Sequence, residues 1–368
     1  MAGSGAVHPI RGGARPGVVA ALDPARALGP WRARGRVAVA IPDLTRPLDP
    51  RPALDALRCR IEGELDVVVG LGLHRPMTAE ELAPLAAWSP SQHDPDDCVP
   101  TDTVDGIPGA VGRPIAQADT VVSVGVAELH QYAGVSGGHK GVAVGCGGRA
   151  TLSALHHRDR VLDPGVRIGR VAGNPFRSAV DGLGEAARCT LALVWVPAAR
   201  LWMAGEPRAV VQEAVARIAP WSPEPRRWAG AVLRVPRAKA SSLYQASRAA
   251  TYLALSPSPP LQPGARLVLD AACPEGIGSE AGFVAALGSC TPPWSALLTG
   301  PPPSGAGAQR AVMLALLAQH FQLEVAGCDD PSPLIAAGIP ATRAPAPTGP
   351  EWLDVPAPFT RLPQWTPA

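Results

Sequence analysis

Residues 119–157 read DTVVSVGVAELHQYAGVSGGHKGVAVGCGGRATLSALHH, and this stretch sets the interpretation of the whole chain. Its apolar start, 119–126, predicts a short strand of the kind buried in parallel sheets. Lys140 follows inside a glycine-rich turn as a flexible, potentially nucleophilic amine, and His156 comes sixteen positions later. Glycines permit positive φ angles and close backbone approach to a ligand, so the stretch predicts a cofactor site. The glycines are Gly134, Gly137, Gly138, Gly141, Gly145, Gly147 and Gly148.

The bulk composition indicates a globular protein of two domains. The chain has 368 residues, of which 46% are hydrophobic but only 4% aromatic, so its core is built mainly from Val, Leu and Ala. With 33 basic and 31 acidic residues the net charge is +2, which gives no electrostatic case for nucleic acid or an anionic membrane as partner.

The cysteines and the apolar runs bear on the cellular setting. Seven cysteines without a CxxC pair argue against a disulfide framework and against a zinc knuckle. The N-terminal residues lack the apolar core of a secretory signal, and no apolar run reaches the length of a membrane span. These features predict a soluble, cytoplasmic protein without a membrane partner.

Strand and helix patterns alternate along both halves of the chain, which predicts two α/β domains with mostly parallel sheets. The stretch PWSPEP, Pro220–Pro225, is a plausible linker between them. Residues 89–118 are expected to be loop-like. The predicted bounds are a flexible tail over 1–30, an N-terminal cofactor-binding domain over 31–222, a C-terminal domain over 228–340 and a Pro-rich tail over 341–368.

Polar residues follow the ends of the first three predicted strands. Asp43 and Arg46 follow the first, His74 follows the second, and His130 with Lys140 follows the third. Because ligands bind at the carboxyl ends of parallel strands, these side chains are expected to line one pocket. The strands are predicted at Arg36–Pro42, Asp66–Leu71 and Asp119–Val126.

These residue types leave two chemistries open. Paired histidines suit general acid and base catalysis, because an imidazole titrates close to the operating pH. A third imidazole suits nickel, copper or zinc, so a zinc hydrolase with His74, His130 and His156 as ligands is an alternative. Zinc hydrolysis leaves Lys140 and its glycine turn unexplained. A serine hydrolase is not favoured, and no phosphate-binding P-loop is present.

Several sequence blocks together resemble the lactate racemase family, whose members use a nickel-pincer nucleotide. They occur in the family's order from about residue 36 to residue 290, and the spacings from His130 to Lys140 and from Lys140 to His156 match the family pattern. The blocks are DLTRP (43–47), GLHRPMT (72–78), AGVSGGHK (133–140), AGNP (172–175), LYQ (243–245) and PEGIG (274–278).

The resemblance implies a cofactor site in the cleft between the two domains. Lys140 would hold the nickel-pincer nucleotide covalently through a thioamide, and His156 would be the protein ligand to nickel. Gly137 and Gly138 would let the backbone crowd the cofactor, and Tyr244 would close over it from the second domain. Enzymes that synthesise the cofactor and insert nickel are the implied partners.

The same resemblance implies racemisation or epimerisation of a 2-hydroxy acid, with lactate as the default substrate. His74 and His130 would be the acid/base pair for a proton-coupled hydride transfer, supported by Asp43. Such a hydride route suits the substrate, because its α-hydrogen is barely acidic. Substrate-binding roles would fall to Arg46, Gln245 and Arg248.

Three departures from the family pattern bear on the substrate. His139 stands where the family usually has arginine, and Arg248 stands where the lactate enzymes have lysine. Because the guanidinium fork is wider and bidentate, Arg248 could fit a different or longer acid. Neither Trp294 nor Trp352 matches the family's late tryptophan. A protein that binds or stores the cofactor without turnover remains an alternative function, beside the zinc hydrolase.

Overall fold

A computed structural model describes residues 17–218, 220–221, 226–359 and 361–363. They divide into two compact units, here called the first and the second unit. The first unit comprises the described parts of Met1–Glu128, Ala133–Leu155 and Arg170–Ile218. The second unit comprises Leu129–Tyr132, His156–Gly169 and the described parts of Ala219–Ala368.

The strands alternate with helices along most of the chain. They span Val19–Ala21 (β1), Ala33–Pro42 (β2), Ile61–Gly70 (β3), Ser91–Gln92 (β4), Cys98–Val104 (β5), Ile107–Gly112 (β6), Thr120–Val126 (β7), Leu129–His130 (β8), Gly134–Val135 (β9), Cys189–Val196 (β10), Leu201–Gly205 (β11), Pro220–Trp221 (β12), Trp228–Arg234 (β13), Leu261–Asp270 (β14), Gln322–Ala326 (β15), Ala341–Thr342 (β16), Leu353–Val355 (β17) and Leu362–Pro363 (β18).

The helices are mostly short, and 3-10 turns at Ala83–Trp88 and Arg237–Lys239 accompany them. They span Pro24–Leu28 (α1), Arg51–Arg58 (α2), Ala79–Leu82 (α3), Arg113–Ala116 (α4), Lys140–Ala143 (α5), Arg149–Leu155 (α6), Arg158–Val161 (α7), Pro175–Ala186 (α8), Pro207–Val215 (α9), Leu243–Ala254 (α10), Ala281–Gly288 (α11), Ala296–Thr299 (α12), Ala308–Ala318 (α13) and Ser332–Ala336 (α14).

The first unit is built on a seven-stranded sheet with the strand order β1-β11-β10-β7-β2-β3-β4. Strands β10, β7, β2, β3 and β4 run parallel, while β11 is antiparallel to its neighbours. In β2, Val37, Val39 and Ile41 pack into one apolar cluster, whereas Ala38 and Ala40 pack into another. Both faces of the strand are therefore covered, as a central parallel strand requires.

The second unit is built on a parallel five-stranded sheet with the order β16-β15-β14-β13-β17. Helix α10 is buried along its whole length, which marks it as a core helix rather than a surface one. Two α/β units with mostly parallel sheets confirm the predicted fold class.

Three predicted loops or tails contain regular structure. Residues 1–16 of the predicted tail 1–30 lie outside the described part of the chain. The rest of that tail contains β1 and α1. The Asp23 side chain caps α1 by accepting a hydrogen bond from the Arg26 amide. Within 89–118, β5 and β6 form an antiparallel hairpin. Its turn is Asp105-Gly106, both at positive φ, which is the preferred geometry of a two-residue hairpin loop.

The predicted Pro-rich tail, 341–368, also contributes to the second sheet. Strands β16 and β17 pair along its two edges, where β15 and β13 would otherwise expose unpaired backbone groups. Strand β3 begins at Ile61, five residues before the predicted start at Asp66, because α2 already ends at Arg58. The predicted linker Pro220–Pro225 lies largely outside the described residues.

The two units are discontinuous in sequence, whereas the predicted domains were contiguous. Residues 129–132 and 156–169 belong to the second unit, although both segments fall inside the predicted N-terminal domain. All seven cysteines are free thiols. Among the described residues, no helix combines the length and the hydropathy needed to cross a bilayer.

Candidate functional site

In the first unit, Asp43 and His74 follow two neighbouring parallel strands, β2 and β3, and their side chains meet. Nδ1 of His74 lies 2.6 Å from Oδ2 of Asp43. Thr45 holds the other carboxylate oxygen, donating to Oδ1 from its amide at 3.1 Å and from its hydroxyl at 2.5 Å. With the ionised carboxylate as acceptor, Nδ1 carries a proton, so Nε2 is the nitrogen available for proton exchange.

The electrostatics of this pair favour an ionised Asp43. Burial of the carboxyl opposes ionisation and is the largest single influence. The neighbouring His74, the Thr45 hydroxyl and the charge of Arg46 outweigh it and hold the pKa of Asp43 well below its ordinary value. Asp43 therefore acts as a fixed acceptor that orients the imidazole of His74.

Arg46 forms an ion pair inside the first unit. Its Nη1 lies 3.5 Å from Oε2 of Glu128, a side chain only 2% exposed. The buried carboxylate fixes the direction of the guanidinium and compensates its charge. Any further anion at Arg46 would therefore have to share the guanidinium with Glu128.

The loop after β3, which carries His74, packs directly against the segment that carries Lys140. The Gly72 amide donates to the Gly145 carbonyl at 2.8 Å. A Cβ on Gly70 would lie 3.0 Å from Cα of Gly145, so the two backbones touch where glycines face each other. Lys140 itself is half-buried at the start of α5.

Gly137 and Gly138 have φ angles of 93° and 62°. A Cβ on Gly138 would lie 2.6 Å from Val211 Cγ2 and 2.8 Å from the Pro207 carbonyl oxygen. The missing side chain of Gly138 is therefore required by packing against the protein itself, and its place at the cofactor stays a prediction.

His139 is part of a buried network behind this loop. Its Nδ1 lies 3.1 Å from Oδ1 of Asp181, and its Nε2 lies 3.3 Å from the Cys189 carbonyl. Arg177 binds the same carboxylate with two nitrogens, at 2.6 and 3.1 Å, and donates to the Gly137 carbonyl at 3.3 Å. The residue next to Lys140 thus supports the loop.

In the second unit, His130 and His156 flank one aromatic ring. The ring of Tyr132 meets both edge-on, with centroid distances of 5.7 Å to His130 and 5.8 Å to His156. Tyr132 is buried, and its hydroxyl donates to the Gln309 carbonyl at 3.4 Å. A rigid tyrosine therefore separates the two imidazoles.

Helix α10 carries the remaining predicted site residues, all of them buried. Tyr244 and Arg248, four residues apart, lie on one face, with the guanidinium carbon 5.3 Å from the centre of the tyrosine ring. Gln245 is 4% exposed, and its Oε1 has no hydrogen-bond partner among the described residues.

The structure divides the predicted site residues between the units. Asp43, Arg46, His74, Gly137, Gly138 and Lys140 lie in the first unit, and His130, His156, Tyr244, Gln245 and Arg248 lie in the second.

Sequence reasoning missed Arg310, which is 3% exposed on α13. Its Nη1 donates to Oε1 of Gln131 at 2.8 Å and to the Thr251 hydroxyl at 3.0 Å. The signal was present, because arginine is rarely fully buried and here precedes eight consecutive apolar residues in the helix AQRAVMLALLA.

Comparison with known proteins covers both the sequence and the fold. The sequence model of the lactate racemase N-terminal domain matches residues 23–169. The lactate racemase of Lactiplantibacillus plantarum is 26% identical over 158 residues, which are 39% of this chain and 37% of that protein. The matched stretch thus spans well under half of that relative.

Two solved structures share the fold. The lactate racemase apoprotein from Thermoanaerobacterium thermosaccharolyticum superposes with a TM-score of 0.74 at 16% identity, over 90% of this chain and 87% of that one. A protein from Thermotoga maritima gives a TM-score of 0.69 at 16% identity, over 93% and 95% of the two chains.

The fold and the N-terminal sequence match together describe the class of this chain. It is a two-unit α/β protein whose sequence matches a lactate racemase N-terminal domain. The chain is therefore similar to the lactate racemase family, as its sequence blocks indicated: the sequence match covers residues 23–169, and the likeness in fold extends over 90% of the chain.

Proposed function

We propose that the protein is an isomerase that racemises or epimerises a 2-hydroxy acid, using a nickel-pincer nucleotide attached to Lys140. The observation that carries the proposal is the Asp43–His74 pair, 2.6 Å apart at neighbouring strand ends. A buried carboxylate that fixes one ring nitrogen prepares the other for proton transfer, and the side chain of His74 is 23% exposed, whereas that of carboxylate-bound His139 is 1% exposed. The pair lies within the matched residues 23–169, which also include Lys140 beyond the end of the parallel strand β7.

The residues present fit the proposed cofactor. Lys140 offers an amine at a half-buried position, on a loop whose backbone is fixed by glycine packing and by Arg177. His156 offers an imidazole nitrogen, a donor that suits nickel. Tyr244 offers an aromatic face in the second unit. When bound, the nickel-pincer nucleotide supplies a hydride acceptor, which spares the protein the removal of a barely acidic α-hydrogen.

The chain's own residues then handle the proton and the orientation of the substrate. His74 accepts the hydroxyl proton at Nε2, while Asp43 stabilises the imidazolium that forms. His130 performs the same task for the opposite enantiomer, because return from the other face needs a second acid. Gln245 and Arg248 bind the substrate, and Arg46 contributes a charge that it shares with Glu128.

The test is intact-mass analysis after co-expression with enzymes that make the cofactor and insert nickel, partners expected in the same cytoplasmic compartment. We expect a covalent adduct on Lys140 and bound nickel, with racemisation in a chiral assay of 2-hydroxy acids. Lys140→Arg keeps the positive charge but removes the reactive amine, so it serves as the matched control and carries no adduct. A wild-type protein without adduct under these conditions overturns the cofactor assignment.

The second arm of the test separates an enzyme from a protein that only stores the cofactor. His74→Ala should keep the adduct and lose racemisation, because His74 handles protons and does not anchor the cofactor. If the cofactor-loaded wild-type protein interconverts none of the acids, and His74→Ala behaves in the same way, the protein stores the cofactor and is not an enzyme.

A further inference from the structure

The second unit buries two arginines on adjacent helices. Arg248 on α10 is 9% exposed, and Arg310 on α13 is 3% exposed. Arginine stays charged in proteins, and buried charges are normally paired with an opposite charge. The partners of these two guanidiniums therefore indicate what the region binds.

Both arginines contact neutral groups. Arg310 donates to the amide oxygen of Gln131 and to the hydroxyl of Thr251, while Arg248 lies over the ring of Tyr244. Among the residues that the structure describes, neither guanidinium forms an ion pair with a carboxylate. Arg46 in the first unit differs, since the buried Glu128 compensates it.

The two guanidiniums share one region. Arg248 precedes Thr251 by three positions on α10, so the hydroxyl that Arg310 contacts lies one helical turn from Arg248. Burial foremost, and the nearby positive charge of Arg248 as well, lower the pKa of Arg310. Like charges held close in a buried region repel unless an anion joins them.

One further polar atom in this region has no hydrogen-bond partner among the described residues. Gln131 accepts two hydrogen bonds at Oε1, which assigns its amide orientation and leaves Nε2 as a buried donor with no partner among the described residues. Gln131 and Thr251 also line a cavity of about 70 Å³, whose wall is otherwise mainly apolar. The unpaired donor and the cavity thus adjoin the two residues that hold Arg310, although neither Arg248 nor Arg310 lines the cavity itself.

The two buried positive charges indicate how many carboxylates the ligand carries. A single carboxylate would compensate one guanidinium and leave the other buried and unpaired. Two carboxylates on one molecule would compensate both, each through the bidentate geometry that arginine favours.

We propose that Arg248 and Arg310 together select a 2-hydroxy acid that carries a second carboxylate. This inference rests on the proposed function for the hydroxy acid, but the recognition of two carboxylates stands on the second unit alone. Arg248 binds one carboxylate, and Arg310, held by Gln131 and Thr251, binds the other.

The test is calorimetric binding to the full-length protein without cofactor, using malate, succinate and lactate as probes. We expect malate and succinate to bind about tenfold or more tightly than lactate, as one additional charge-assisted pair predicts. Arg310→Gln should weaken malate about tenfold and lactate far less. Arg266→Gln, an exposed arginine of the same unit that pairs with Glu324, is the matched control and should change neither.

Arg310→Lys keeps the charge, so it tests the proposal even if the glutamine variant fails to fold. It should bind malate with an affinity between those of wild type and Arg310→Gln. Equal affinity for malate and lactate, no measurable malate binding, or equal losses for both acids in a folded Arg310 variant overturns the proposal. Racemisation of lactate but of no hydroxy diacid leaves the proposed function standing and removes only this inference.

Discussion

Oδ2 of Asp43 and Nδ1 of His74 lie 2.6 Å apart, although 31 residues separate them in sequence. Parallel pairing of β2 with β3 in register, Pro42 opposite Gly70, places both residues beyond the same edge of the sheet. The register of one strand pair therefore determines whether the histidine has a carboxylate partner.

Asp43→Asn should lower racemisation by the cofactor-loaded protein by about 10²-fold, because an amide can stabilise the wrong tautomer and cannot balance the imidazolium charge. The measurement is kcat in a chiral assay. Thr45→Val removes only one hydrogen bond to the carboxylate, so its loss should stay within about tenfold. Equal activity of Asp43→Asn and wild type would show that the pair is structural.

Asp43 should also make stability depend on pH. Its pKa in the folded protein is below the ordinary value of 3.8, so it stabilises the fold above about pH 4, and this contribution disappears as the pH falls toward the folded pKa. The difference in unfolding free energy between wild type and Asp43→Asn should be larger at about pH 7 than at about pH 3. Urea unfolding at both pH values measures it, and a difference that grows on acidification contradicts the assignment.

Arg177→Met should cost about 3 kcal/mol or more, because it leaves Asp181 buried with a weakened set of partners. Denaturant unfolding provides the measurement. Arg149→Gln breaks an ion pair with Asp96 that is exposed on both sides, so it should change the free energy of unfolding by less than about 1 kcal/mol. Similar values for the two variants would contradict a supporting role for the buried network.

Gly141 and Ser123 should be energetically coupled. A Cβ on Gly141 would lie 2.3 Å from the Ser123 hydroxyl, so Gly141→Ala should destabilise the protein by about 1–3 kcal/mol. That hydroxyl is buried without a hydrogen-bond partner among the described residues, so Ser123→Ala alone should be neutral or stabilising.

The double variant Gly141→Ala/Ser123→Ala should recover most of the loss, with a coupling energy of about 1 kcal/mol or more in the same unfolding experiment. Additive effects would indicate that the helix beginning at Lys140 moves away instead.

The positions of the site residues could be predicted, but their contacts could not. Apolar runs followed by polar residues located Asp43 and His74 beyond strand ends. The ion pair between Arg46 and Glu128 depends on loop conformations set by packing far away in sequence. His139 shows the same limit, because its partners Asp181 and Cys189 lie more than 40 residues further along the chain.

The fold errors have local causes. The hairpin of β5 and β6 was missed although Asp105-Gly106 is a strong turn signal, because the flanking strands lack a continuous apolar face. Strands β16 and β17 are only two and three residues long, and such short edge strands exist only through their partners in the sheet. Arg310 was overlooked because its apolar helix reads as plain core.

The division of the chain has a consequence for any attempt to dissect the protein. The polypeptide passes between the units after residues 128, 132, 155, 169 and 218, so neither unit corresponds to one continuous gene segment. Truncation at residue 218 would leave a fragment that still carries His130 and His156 but lacks the rest of the unit to which their segments belong. Fragment complementation or domain exchange with a relative therefore has to transfer three separate pieces together.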